Sequence, residues 1–200
     1  METFSLYVKH LLCTKNMNHF HHNIQGWFTY PGLYKAVVEQ AIDNSHFVEV
    51  GAWKGASAAY MAVEIINSGK NIKFDCIDNW RGPQDHNVLT LTQQEDLYIE
   101  FIKNIKPVSN IVNHYRTPSS KAVELYEDFS LDFVFIDAAH DYTNVLIDII
   151  SWYPKVKIGG RIGGHDYPSW SGVVKAVNTY FKNKKVYVNP KEMTWLHRKS

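Results

Sequence analysis

The sequence has only two cysteines, Cys13 and Cys76, no long run of one charge, and no apolar stretch long enough to cross a bilayer. Two cysteines do not make a disulfide scaffold. Cys76 falls in an apolar, strand-like run, so no disulfide is expected and a reducing cytoplasm is the default compartment. Twenty-one Lys and Arg against 20 Asp and Glu leave a net charge of +1. That balance gives no support to binding nucleic acid or a membrane surface. Met1 to Lys15 lacks the apolar core of a signal peptide. Internal repeats, low-complexity tracts and an interdomain linker are also missing. The three-glycine dinucleotide fingerprint is absent too, since Trp53 stands where a second glycine would be expected.

What is present is enough for one domain: 200 residues, 45% of them hydrophobic, can close a sizeable core. Apolar, strand-like runs alternate with helical periodicity, the pattern of an α/β sheet with crossover helices. Strands are predicted at His46–Val50, Ile72–Ile77, Ile111–His114, Leu131–Ile136, Arg161–Gly164, Lys185–Val188 and Thr194–His197. Helices are predicted at Gly32–Ile42, Ala56–Asn67, Thr92–Ile105, Ser119–Tyr126, Tyr142–Trp152 and Gly172–Phe181. Only Asn189-Pro190-Lys191-Glu192 separates the last two strands, too little for a helical crossover, so they should form an antiparallel pair at a sheet edge. The first thirty residues are less periodic and read as a cap or lid, with residues 31–200 forming the domain proper.

Phe47-Val48-Glu49-Val50-Gly51-Ala52-Trp53-Lys54-Gly55 is the most informative stretch. An apolar run ends in a carboxylate and a glycine turn that opens a helix, presenting backbone N–H groups to whatever lies above. Two further runs end alike: Leu131 to Ile136 closes on Asp137-Ala138-Ala139-His140-Asp141-Tyr142, and the segment after Gly159-Gly160 closes on Gly163-Gly164-His165-Asp166-Tyr167. Ligands of open parallel sheets bind outside the carboxyl ends of the strands. Glu49, Asp137, His165 and Asp166 should therefore meet at one edge. His19, His21 and His22 lack a neighbouring carboxylate or cysteine in sequence and read as surface or cap rather than metal site. Arg81, Asp85 and His86 read as a solvated loop or gate.

These motifs, with Ile77-Asp78-Asn79-Trp80, make the chain resemble the class I S-adenosylmethionine-dependent methyltransferases. It resembles most the small-molecule O-methyltransferases that include macrolide sugar methyltransferases and cephalosporin hydroxylase-like proteins. The resemblance runs from about Gln25 to Phe181. It implies a Rossmann-like, mostly parallel sheet of seven strands with an antiparallel C-terminal hairpin and helices on both faces, and S-adenosylmethionine as cofactor. By that resemblance Gly51, Ala52, Trp53, Gly55 and Ser57 hold the amino-acid part of the cofactor, with Glu49 near its ammonium. Asp78, about two dozen residues on, would take the ribose hydroxyls. Trp80 would cover adenine or ribose, or else pack in the core. Ser119 and Ser120 would lie beside the adenine, and Ser119 or Ser120 is a natural N-cap of the helix that starts there.

The resemblance further implies a divalent cation, Mg²⁺ or alternatively Mn²⁺ or Ca²⁺, on Asp137, His165 and Asp166; His165 replaces the acidic residue of metal-dependent relatives. Asp137 would thus serve cofactor, metal and catalysis together. His140 is the expected general base, with capping of the next helix as its other role. Tyr167, Pro168, Ser169 and Trp170 would line a pocket for a sugar-like or aromatic hydroxylated molecule. Two alternatives remain: a cofactor-binding member without catalysis, and a nicotinamide-dependent oxidoreductase on a similar scaffold. A homo-oligomer is left open, with the N-terminal segment as lid or dimer arm.

Overall fold

The computed structural model describes residues 16–82 and 91–200. Cys13, Asp85 and His86 lie outside them. Seven strands form one sheet: β1 (Ser45–Val50), β2 (Ile72–Asp78), β3 (Val112–Arg116), β4 (Leu131–Ile136), β5 (Val156–Gly164), β6 (Tyr187–Asn189) and β7 (Thr194–Arg198). Their spatial order is β3-β2-β1-β4-β5-β7-β6. The first five are mutually parallel; β7 is antiparallel to both β5 and β6. The terminal hairpin is therefore present, with β7 inside the sheet and the exposed three-residue β6 at the edge.

Strand alternation assigns each residue a face. Phe47, Phe74, Phe133 and Phe135 point to the layer that holds α1 (Pro31–Gln40), α2 (Ala56–Ser68) and α3 (Leu91–Ile105). Val48, Val50, Ile77, Val134 and Ile136 point to the other, with α4 (Ser119–Ala122), α5 (Tyr142–Trp152) and α6 (Ser171–Tyr180). Because both faces are covered, the central strands read as continuous apolar runs. Ala58, Ala59 and Ala62 let α2 lie close on the sheet and are fully buried. Pro31 sits in the first turn of α1, where its missing N–H costs nothing.

Two elements differ from expectation. β5 begins at Val156 rather than Arg161, because the Gly159-Gly160 pair that looks like a breaker continues the strand through an irregular register. A Cβ on Gly160 would lie 3.0 Å from the Asp132 and Lys157 carbonyl oxygens, so a side chain there would crowd both strands. The helix expected over Ser119–Tyr126 is a single α turn followed by a 3₁₀ turn at Val123–Leu125.

Residues 16–30 pack on α2: His19 stacks on Tyr60 and meets Glu64 at 2.8 Å, while Phe20, Ile24 and Phe28 cluster with Ala56 and Ala59. No helix among the described residues is long and apolar enough to cross a membrane. Register aligns the strand ends, pairing Val50 with Ile77 and Ile136, and Ile136 with Gly164. The residues that follow each strand are thereby delivered to one edge.

Candidate active site

A cavity of about 560 Å³ opens at that edge. Its floor is the turn after β1. Gly51 has φ +94°, and a Cβ there would run into the Asp137 carbonyl, so the turn closes against β4 only with glycine. Ala52 N–H and Trp53 N–H both donate to Asp78 Oδ2 at 2.9 Å, and Trp80 N–H donates to Oδ1 at 2.7 Å. Burial raises the Asp78 pKa above the ordinary carboxylate value, and these backbone donors oppose the rise. Asp78 lines the cavity as expected, but its two oxygens first clasp the turn. Gly55 caps α2 with no side-chain hydrogen bond, which leaves the first-turn N–H groups, including those of cavity-lining Ala56 and Ser57, without a side-chain partner. The indole Nε1 of Trp53, in the same wall, is buried without a partner among the described residues.

Glu49 lies beneath this floor and is not part of the cavity wall. It shares a face with Phe47, accepts from Tyr34 Oη at 3.0 Å and Cys76 Sγ at 3.6 Å, and is also reached by the Ser57 hydroxyl. Desolvation pushes its pKa up to about 7 against those hydrogen bonds. An expected contact with a cofactor ammonium thus gives way to a supporting role under the turn.

Of the two roles expected of Trp80, cofactor cover or core packing, the side chain takes the second. It is fully buried between Tyr98 and Phe101, its Nε1 donates to the Trp53 carbonyl at 2.8 Å, and it does not line the cavity. Ser119 and Ser120 do line it, but neither caps α4, whose N-cap is Pro118. Instead Ser119 Oγ donates to Asp148 Oδ1 at 2.6 Å and accepts from Trp152 Nε1 at 2.8 Å. Asp148, buried on α5, has its pKa pushed up to about 6 by desolvation, opposed by Ser119.

The opposite wall carries the groups from β4 and β5. Asp141 caps α5, accepting from Thr143 and Asn144 N–H, so that role does not fall to His140. His140 Nε2 instead meets Asp166 Oδ2 at 2.8 Å, and its ring lies stacked on Trp170 at 4.5 Å. Asp137 Oδ2 accepts from Tyr30 Oη at 2.7 Å. His165 Nδ1 lies 3.5 Å from Asp137 Oδ1 and 3.4 Å from Asp166 Oδ1. Its Nε2 is 2.8 Å from Thr29 Oγ1, whose own proton goes to the Glu192 carbonyl, so Nε2 is the donor. Burial would lower the His165 pKa, but the hydrogen bonds and charges of Asp137 and Asp166 outweigh it and push it up to about 10. Burial likewise works against the Asp166 carboxylate. His140 and His165 override it and hold Asp166 well below the usual carboxylate range.

The ligand atoms that converge within 4.8 Å of one another belong to Asp137, His140 and Asp166, not to the expected trio of Asp137, His165 and Asp166. His165 sits behind, with 3% of its side chain exposed, and braces both carboxylates. Two carboxylates and an imidazole are a donor set that suits a divalent cation.

A methyltransferase-domain family matches residues 48–167, from β1 through the loop after β5, more than half of the chain. The chain belongs to that methyltransferase family. The paired strand-end motifs are thus those of an S-adenosylmethionine-dependent methyltransferase. Its fold is that of NovP, an O-methyltransferase: TM-score 0.67, 15% identity, 86% of this chain and 80% of that one covered. It is also that of CalS11, a TDP-rhamnose 3′-O-methyltransferase of calicheamicin biosynthesis (0.56, 12%, 84% and 75%). Fibrillarin from Aeropyrum pernix, solved with S-adenosyl-L-methionine bound, shares the fold as well (0.53, 11%, 83% and 74%). No curated protein sequence matches the chain.

In this methyltransferase the uncapped α2 terminus and the unpartnered Trp53 Nε1 are what a cofactor with a carboxylate and further acceptors would satisfy. Wall residues that carry no motif include Trp27 and Tyr30, from the segment before α1, and Asp148 on α5. Asp148 did leave a sequence signal, as one charge on an otherwise apolar stripe of Val145, Ile149 and Trp152.

Proposed function

We propose that this methyltransferase transfers the methyl group of S-adenosylmethionine to an oxygen of a small hydroxylated acceptor, with His140 as general base. One observation carries the reading: the His140–Asp166 pair stands beside Asp137 in the same cavity that the glycine turn opens into. The acceptor oxygen attacks the sulfonium methyl. The O–C bond forms, the C–S bond breaks with its electron pair going to sulfur, and S-adenosylhomocysteine departs. The hydroxyl proton passes to His140, and Asp166 orients the imidazole and stabilises its charged form. The turn and the α2 terminus hold the amino-acid end of the cofactor, and the walls set its distance from the acceptor.

Asp137 and Asp166 would hold a divalent cation, with His140 alongside and His165 bracing them. Such an ion would lower the acceptor hydroxyl's pKa. The test is methyl transfer to a panel of catechols and free sugars together with amine and thiol analogues, followed by mass spectrometry, with Mg²⁺ or with excess EDTA. O-methylated product that falls away in EDTA is expected. Methylation confined to nitrogen or sulfur acceptors would sink the oxygen assignment, and an undiminished rate in EDTA would sink the metal.

A further inference from the structure

We propose that Asp148, on α5, accepts a hydrogen bond from the exocyclic amino group of the cofactor's adenine and so sets a preference for adenosyl over inosyl compounds. The proposal rests on the S-adenosylmethionine reading of the cavity and adds a specificity residue to it. The floor of the cavity, at the turn after β1 and the uncapped α2 terminus, suits the amino-acid end of the cofactor. The wall from β4 and β5 carries the reacting groups His140, Asp137 and Asp166. That leaves the adenosyl end to the wall beyond Asp78, where β2 and β3 end side by side. Thr117 N–H donates to the Asp78 carbonyl at 2.9 Å, so Pro118 and Ser119 stand directly next to that strand end. Ile77, Pro118 and Ile147 give this wall apolar surface suited to a flat ring. Asp148 adds a carboxyl group there, lining the cavity although only 7% exposed.

The hydrogen bonds around Asp148 fix what it can offer a ligand. Trp152 Nε1–H is a donor only, so Ser119 Oγ accepts from it at 2.8 Å and sends its own proton to Asp148 Oδ1 at 2.6 Å. Among the described residues Ser119 is the one hydrogen-bond donor to this carboxyl group, which keeps accepting capacity to spare. Desolvation, opposed by Ser119 and reinforced by Asp141 at the start of α5, brings the Asp148 pKa to about 6. At pH 8 the carboxylate therefore prevails, and a carboxylate only accepts. Burying it in an apolar wall is costly unless further donors reach it. The adenine amine is such a donor. The carbonyl of hypoxanthine at the same ring position is a second acceptor and leaves the carboxylate unpaired, which is how a site built around a hydrogen bond rejects an analogue.

The test is calorimetry at pH 8 on the full chain with S-adenosylhomocysteine and with S-inosylhomocysteine, repeated with Asp148→Asn. The wild type is expected to bind the adenosyl compound at least about tenfold more tightly. In the variant the amide oxygen still takes the Ser119 proton, which turns the amide N–H groups towards the ring, where they match the inosyl carbonyl. The preference should therefore vanish or reverse. Equal affinities in the wild type overturn the proposal whether or not the variant folds. A variant that binds both compounds more weakly at the wild-type ratio also overturns it, because Asp148 would then only anchor Ser119. Failure of S-adenosylhomocysteine to bind the wild type would sink the cofactor site itself and this assignment with it, so the two failures are distinguishable.

Discussion

At the ends of β1 and β2, Asp78 is clasped by three backbone N–H groups of the chain's own turns, whereas at the ends of β4 and β5, Asp137 and Asp166 are held by side chains: Tyr30, His140 and His165. Both sets line one cavity. A carboxylate bonded to backbone amides is part of the turn, and moving it means remaking the turn. A carboxylate held by imidazoles can exchange partners when a cation, an acceptor or a proton arrives. The first half of the site is thus built as shape, and the second as chemistry.

The largest effect should come from the chemical half. His140→Ala is expected to lower the methyl-transfer rate by about 10²–10⁴-fold at neutral pH while S-adenosylhomocysteine affinity barely moves. A variant that keeps both a near-normal rate and the wild-type acid limb of the pH–rate profile would show that the base lies elsewhere. In the structural half, Asp78→Ala leaves three backbone donors without their acceptor. Hydrogen bonds to a charged group contribute about 1.5–3 kcal/mol each, so a stability loss of about 3 kcal/mol or more is expected in denaturant unfolding, with cofactor binding weakened well beyond tenfold. Weakened binding with unchanged stability would make Asp78 a ribose ligand and nothing more, and the comparison would break.

Much of this division was legible in the sequence. Apolar runs closing on Asp78, Asp137 and His165-Asp166 locate the strand ends, and a chain of parallel strands delivers them to one edge. Glu49 could have been read further: it alternates with Val48 and Val50 and so shares the face of Phe47, beneath the helices of that layer. Trp80 was ambiguous because the same side chain suits a lid or a core, and only tertiary packing against Tyr98 and Phe101 decides. Thr29 and Tyr30 left no trace, since their partners His165 and Asp137 lie more than 100 residues away. The exchange of His165 for His140 in the converging trio is also beyond spacing arguments, because it depends on which ring faces inward.

The buried Glu49 sharpens the comparison through pH. Its folded pKa of about 7 lies above the ordinary 4.5, so its contribution to stability is fully present below about pH 4.5 and is lost as pH rises through 7. The stability difference between wild type and Glu49→Gln should therefore shift by roughly 3 kcal/mol in the variant's favour between pH 4.5 and 8. A pH-independent difference in paired denaturant titrations would place Glu49 in a solvated site instead. The smallest effect should be that of Trp80→Phe, which removes the hydrogen bond to the Trp53 carbonyl and costs about 1 kcal/mol with cofactor affinity little changed. A tenfold loss of affinity there would return Trp80 to the cofactor site.

The most direct test is calorimetry of S-adenosylhomocysteine binding to the wild type and to Asp166→Ala, each in Mg²⁺ and in excess EDTA, alongside methyl-transfer rates. A shape-built cofactor half predicts four closely similar affinities, with transfer lost in the variant. An affinity that collapses in EDTA or in Asp166→Ala would contradict it, because the two halves would then be one interdependent site.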